Sequence, residues 1–286
     1  MNSSLEDTKF ILKKYNITAN KRLGQNFLVD DEIISDIIKA SNIEGKDLVI
    51  EIGPGLGTLT SKLLENAGKV IAVELDEKMI TILNDRFKLY DNFILLNEDV
   101  LKVDLKTLIK ENIEDLERVK IVANLPYYIT TPIIMKLLED KLDIDSITVM
   151  VQKEVADRIT ARPGDKLSGA ITYSVDYYAE AKNIVFVDKK SFIPSPEVDS
   201  EVIKLQIREK PKVDVINEEM FFRVIKASFM QRRKTLLNGL TNSGIVNDKD
   251  KIKDIFNKMG IDINIRGEKL TIEQFAELSN LIYKVV

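Results

Sequence analysis

Leu48-Val49-Ile50-Glu51-Ile52-Gly53-Pro54-Gly55-Leu56-Gly57 is a short apolar run that breaks into a turn with glycine at every second position, and a helical pattern opens at Thr58. A strand covered on both faces reads as a nearly continuous apolar run, and glycines at its end let backbone approach a ligand where a Cβ would collide. The stretch therefore predicts the first strand of a parallel sheet, feeding a ligand-binding turn. Working outward, similar runs recur at Val70–Val73, Phe93–Leu96, Ile121–Ala123 and Ile147–Val151. Helical patterns separate them, around Leu59–Asn66, Glu77–Lys88, Leu105–Asn112 and Pro132–Leu138. This is the alternation of βα units. Upstream, Ile33, Ile34, Ile37 and Ile38 share one face of a helix with Asp30 as its N-cap. Downstream, Ile184–Val187 and a strand from Val198 to Ile207 flank a proline-rich loop at Phe192–Pro196, and the adjoining strands are expected to close the sheet in antiparallel fashion.

Arg208–Pro211 is charged and proline-broken, and everything beyond Glu218 reads as helix. The expected organisation is a domain over residues 1–208, with 1–45 as a basic, helical N-terminal segment, and a small all-helical domain over 209–286. With 286 residues, 44% of them hydrophobic, the chain can bury a core in each.

There is no Cys, His or Trp, so disulfides, Cys/His metal sites, thiol nucleophiles and histidine bases are excluded, and no metal is expected. No apolar run is long enough for a membrane span, and Met1 to Phe10 lacks the layout of a signal peptide, so a cytoplasmic location without membrane contact is expected. The net charge of −4 means that any nucleic-acid contact must be local. Two stretches carry several cations and no acid: Lys9 to Arg22, which holds Lys21 and Arg22, and Phe221 to Leu240, which holds Arg223, Lys226, Arg232, Arg233 and Lys234. A solvated face would read the same way. Wound as one helix, the second stretch puts Phe221, Phe222, Ile225, Phe229, Leu236 and Leu240 on an apolar arc and Arg223, Lys226, Arg233 and Lys234 largely opposite, a stripe suited to phosphates. Arg232 falls on the apolar arc, where it requires a buried carboxylate partner or a break in the helix.

Gly53, Glu74, Asp99 and Asn124 each fall at or just past the carboxyl end of an apolar strand, one βα unit apart. In an open α/β sheet that edge binds the ligand. Gly53 and Gly55 would admit it, Glu74 would accept from ribose hydroxyls, and Asp99 would take the amino group of an adenine ring. A nicotinamide dinucleotide fits these features equally well. The deciding motif is Asn124-Leu125-Pro126-Tyr127, of the Asn/Asp-Pro-Pro-Tyr type found where methyl is transferred to the amino group of a nucleobase. An adenine amine is a weak nucleophile because its lone pair is delocalised into the ring. Holding its hydrogens with the Asn124 oxygen and the Leu125 carbonyl turns that lone pair toward a donor methyl. Pro126 stiffens the loop, Tyr127 offers a stacking face, and Phe192 is expected to close the other side of the base pocket.

With Lys21-Arg22-Leu23-Gly24-Gln25-Asn26-Phe27-Leu28, Lys166-Leu167-Ser168, Phe192 to Ser200 and Arg232-Arg233-Lys234-Thr235-Leu236 added, the chain resembles the KsgA/RsmA ribosomal RNA small-subunit adenine dimethyltransferases over nearly its whole length. The resemblance implies an α/β, Rossmann-like S-adenosylmethionine methyltransferase sheet, mostly parallel with an antiparallel closing strand, and a C-terminal helical RNA-binding domain. It implies dimethylation of N6 of two adjacent adenines near the 3′ end of 16S rRNA during small-subunit maturation, by a monomer. It also places Asn26 and Leu28 in the cofactor pocket, beside Gly53, Glu74, Asp99 and Asn124. Tyr128 and Thr130-Thr131 depart from the commoner Asn and Ser-Thr of that family. Three other readings stay open: a macrolide-resistance methyltransferase acting on 23S rRNA, a non-catalytic assembly or transcription factor on the same fold, and a nicotinamide-dependent oxidoreductase.

Overall fold

A computed structural model describes residues 3–20, 23–231, 234–246 and 248–286. Its strands are β1 (Phe27–Leu28), β2 (Asp47–Ile52), β3 (Lys69–Glu74), β4 (Phe93–Asn97), β5 (Arg118–Asn124), β6 (Ser146–Gln152), β7 (Ala179–Val187), β8 (Phe192–Ile193) and β9 (Ser200–Ile207). The helices are α1 (Ser4–Lys14), α2 (Asp31–Ser41), α3 (Thr58–Asn66), α4 (Glu77–Phe87), α5 (Leu105–Asn112), α6 (Thr130–Glu139), α7 (Lys153–Thr160), α8 (Ala170–Tyr178), α9 (Glu218–Met230), α10 (Leu236–Asn242), α11 (Lys249–Met259) and α12 (Ile272–Tyr283).

The chain divides into two compact units, one of residues 1–156 and 181–207, the other of 157–180 and 208–286. The first holds the seven-stranded sheet, ordered β4-β3-β2-β5-β6-β9-β7. β2 through β6 are mutually parallel and β9 runs antiparallel to β6, the closing strand anticipated from the sequence. Every residue of β2 is buried, as its unbroken apolar run requires. α2 packs on β6 and β9, α3 on β3, and α4 on β3 and β4. α2 is capped by Asp30, whose carboxylate accepts from the backbone N–H groups of Glu32 and Ile33. β1 pairs antiparallel with β8 in a separate two-stranded sheet.

At the amino ends of the central strands sits a buried charge cluster. Asp47 and Lys120 are 0% and 1% exposed and meet at 3.0 Å. Asp47 also accepts from Arg118 Nε at 2.9 Å and from the Glu44 N–H at 2.8 Å, and Lys120 donates to the Asn42 carbonyl. Burial alone would raise the Asp47 carboxyl, but the Glu44 N–H, Lys120 and Arg118 hold it below the ordinary carboxylate range.

The second unit is helical, and it differs from the sequence reading in two ways. Residues 157–180, expected to belong with the sheet, group instead with 208–286. The reason is aromatic packing: Tyr173 is fully buried, donates to the Leu270 carbonyl at 2.7 Å and meets Phe275 edge-on at 4.8 Å, while Tyr177 lies 5.1 Å from Phe221. The stretch from Phe221 to Leu240 is also two helices rather than one. α9 ends at Met230, and Thr235 opens α10 by accepting from the Asn238 N–H. The apolar arc survives the break, with Phe221, Ile225, Leu236 and Leu240 all buried. Arg223, Lys226 and Lys234 are exposed. Lys21, Arg22, Arg232 and Arg233 lie outside the described residues.

Candidate active site

A cleft opens at the carboxyl edge of the parallel strands. Its walls include Asn26, Leu28, Gly53, Gly55, Glu74, Asp99 and the run Asn124 to Tyr127. The sequence-predicted positions from five separate stretches of chain thus meet in one place, as the crossover topology dictates.

The turn after β2 has its glycines in left-handed conformations, with φ of +68°, +58° and +83° at 53, 55 and 57. At Gly57 an added Cβ would lie 2.5 Å from the Phe87 ring, so glycine there also sets the seating of α4. Glu74, 8% exposed, is held by two backbone donors, the Gly55 N–H at 3.1 Å and the Asp76 N–H at 2.8 Å. Burial raises its carboxyl, offset in part by those donors. Asp99 accepts from the Leu101 N–H at 3.0 Å. The segment that covers the cleft is pinned by Gln25, which accepts from the Asn20 N–H and donates to Asp76, each at 2.8 Å.

Asn124 ends β5, and its Nδ2 donates to the Asn26 carbonyl at 3.3 Å. With the nitrogen engaged there, Oδ1 is the acceptor the amide offers. Leu125 N–H donates to the Met150 carbonyl at 3.1 Å, and the Pro126 carbonyl is occupied by the Ile129 N–H and the Thr130 hydroxyl. Tyr127 is half-buried and its hydroxyl lies 2.6 Å from Ser200 Oγ. Tyr128, at the position of departure from the family pattern, is 54% exposed on the rim.

Phe192 is a correction. It is 3% exposed and is not among the residues lining the cleft. β8 pairs with β1 so that Phe192 stands opposite Leu28, and its ring joins the core with Phe27 and Leu28.

Residues 16–284 match the sequence model of the family described as "Ribosomal RNA adenine dimethylase". The chain belongs to that family. Among curated relatives, "Ribosomal RNA small subunit methyltransferase A" of Bacillus pumilus (strain SAFR-032) is 49% identical over 281 residues, 98% of this chain and 96% of the relative. The protein of the same name from Clostridioides difficile (strain 630) is 49% identical over 280 residues, 98% and 96%. Of solved structures, a dimethyladenosine transferase from Plasmodium falciparum superposes with a TM-score of 0.74 at 28% identity, covering 88% of this chain and 95% of that one. The 23S rRNA methyltransferase ErmE superposes at 0.68 and 23% identity, over 90% and 100%, a likeness of fold. As a ribosomal RNA adenine dimethylase, the chain is an S-adenosylmethionine-dependent methyltransferase, and the dinucleotide oxidoreductase reading falls away.

The cleft fits that cofactor. It has a glycine turn for close approach, a carboxylate at Glu74 for hydroxyls, and on its wall a buried acid with one unpartnered oxygen, to which the sequence assigned no role. Glu51 is 2% exposed in β2, and its Oε2 has no hydrogen-bond partner. Such an atom suits an ammonium group like that of the cofactor's amino-acid end. The available signal was an acid interrupting an otherwise apolar strand.

Burial pushes the Glu51 carboxyl up to about 8; the Thr60 hydroxyl offsets part of this and the neighbouring Glu74 adds to it. In the unfolded chain the group titrates near 4.5. Below that pH it is protonated in both states, and stability is unaffected. As pH rises from there through about 8, the unfolded chain ionises while the native one does not, so native stability falls, by on the order of 3–5 kcal/mol over the whole window. Glu51→Gln removes this slope. In urea melts without cofactor, the variant's stability relative to the parent is expected to rise steadily from pH 5 to pH 8. Parallel curves would mean that Glu51 is ionised in the native state.

Proposed function

We propose that the chain transfers two methyl groups from S-adenosylmethionine to N6 of each of two adjacent adenines near the 3′ end of 16S rRNA, during maturation of the small subunit. The observation that carries this reading is the anchored Asn124 amide: on the wall of the cleft its nitrogen is held by the Asn26 carbonyl, which leaves Oδ1 as the acceptor the amide offers.

When bound, the cofactor supplies an electrophilic methyl group on sulfonium sulfur. Gly53 and Gly55 give the backbone clearance that it needs, Glu74 accepts from its ribose, Asp99 from its adenine amino group, and Glu51 faces its ammonium. Asn26 and Leu28 line the covering segment. At the substrate, Asn124 Oδ1 and the Leu125 carbonyl each accept one hydrogen of the adenine amine, which draws the nitrogen lone pair out of conjugation and aims it at the methyl group. Pro126 fixes the loop and Tyr127 gives the extruded base a ring to stack on. Phe192 supports the wall from behind. One amine hydrogen leaves to solvent as a proton with each transfer, so no histidine is required. The exposed cations Arg223, Lys226 and Lys234, with Lys21, Arg22 and Arg233, are assigned to RNA phosphates. No described helix is long and apolar enough to cross a membrane, and we assign the activity to a cytoplasmic monomer.

The test is methyl transfer from labelled S-adenosylmethionine to unmethylated small and large ribosomal subunits, followed by nucleoside analysis. Dimethyladenosine confined to the small subunit is expected. Label in the large subunit would redirect the assignment to the macrolide-resistance type, and cofactor binding without transfer would favour a non-catalytic assembly factor.

A further inference from the structure

We infer that Ser200 is a positioning residue for methyl transfer: its hydroxyl, hydrogen-bonded at 2.6 Å to the Tyr127 phenol, fixes the attitude of the ring on which the target adenine stacks. The inference rests on the stacking role assigned to Tyr127 above.

A tyrosine ring joined to backbone only at its Cβ can swing about two side-chain torsions. Where packing encloses the ring, that freedom is absent, but Tyr127 is only half-buried at the cleft wall. The restraint comes from its far end. Ser200 is fully buried at the first residue of β9, opposite Gln152 of β6. The residue before it is fixed twice, since Asp199 accepts from the Lys189 N–H through its carboxylate and from the Lys153 N–H through its carbonyl, both at 3.0 Å. Ser200 therefore presents a hydroxyl that does not wander.

The geometry also ties the ring to the amide. Asn124 stands opposite Met150 of β6, and Leu125 donates to the Met150 carbonyl. Two residues further along the same strand, Gln152 holds Ser200. The group that orients the amine and the group that holds the stacking ring are thus both referenced to β6, so their spacing is set by one rigid strand rather than by a loop. Burial, offset in part by the Ser200 bond and reinforced by Asp199, raises the Tyr127 phenol above its ordinary value, so that it remains protonated and able to donate. With its hydroxyl engaged by Ser200, Tyr127 offers the base its face, and recognition of the amine is left to Asn124.

Ser200→Ala is expected to lower kcat/KM for the small ribosomal subunit about 3- to 10-fold, the effect of one hydrogen bond, while the cofactor Kd stays within about twofold of the parent's. Tyr127→Phe, which removes the same bond from the other side without leaving a cavity, should lose the same factor, and the double variant should lose no more than either single one. Ser200→Thr, which keeps a hydroxyl, should restore most of the loss. Additive losses in the double variant, or Ser200→Ala and Tyr127→Phe at the parent rate, would overturn the inference. Tyr127→Ala separates the two levels. If it is nearly inactive while the two hydroxyl deletions are silent, only the role of Ser200 falls; if it methylates normally, the stacking role falls and this inference with it.

Discussion

Asn124→Ala is expected to lower kcat for methyl transfer by about 10²–10³-fold, the usual cost of removing one preorganised polar contact to a reacting group, with cofactor Kd changed no more than about threefold. The asymmetry follows from the geometry. Glu51, Gly53, Gly55, Glu74 and Asp99 are carried by other strand ends and turns of the sheet and are untouched by the substitution. What is lost is the one side-chain oxygen at the end of β5, together with a 3.3 Å bond to the Asn26 carbonyl. Asn124→Asp is not a mild alternative, because it sets a carboxylate oxygen against that carbonyl. Single-turnover rates with labelled cofactor, alongside calorimetric binding, decide the matter. Equal loss of both quantities would show that Asn124 serves the cofactor rather than the amine.

A large loss of stability at neutral pH is expected from Lys120→Met. Removing one partner of a buried ion pair strands the other charge, at a cost of about 3–5 kcal/mol. Arg118 remains 2.9 Å from Asp47, so the low end, about 3 kcal/mol, is expected. Pairing the change with Asp47→Asn should recover much of the loss, since the neutral amide needs no counter-charge. Urea denaturation of the two variants checks both statements, and a loss below about 1 kcal/mol for Lys120→Met would show that water or Arg118 already satisfies the carboxylate.

The sheet was legible in the sequence because its signal is local. Each buried run, such as Val70–Val73 or Ile147–Val151, lies inside the strand that formed. Gly53, Glu74, Asp99 and Asn124 came together because strand order alone brings such ends to one edge. The features that escaped depend on distant partners. β1 and β8 are two residues each and pair across more than 160 positions of chain, so nothing near Phe192 announces that its ring turns into the core. Tyr173 and Tyr177 join the helical unit through Phe275 and Phe221, about 100 and 44 positions away. The apolar period of the sequence continues in phase across the break between α9 and α10, which Arg232 on the apolar arc offered as one alternative and which Thr235, a good N-cap, marks. Glu51 was visible as an intruder in an apolar strand, but the lack of a hydrogen-bond partner at its Oε2 is a property of the packed state.

The charge cluster under the sheet answers a question that apolar packing leaves open. β2 and β5 are apolar on both faces, so sliding one along the other by a residue or two would still bury oily side chains on either side. In the native alignment Asp47 faces Arg118 and Val49 faces Lys120, which brings both cations onto one carboxylate. Any slip would carry Lys120 away from Asp47 and the Asn42 carbonyl and leave a bare ammonium in the interior. The pair is thus satisfied in the one register that also brings Asn124, four residues further along β5, to the cleft.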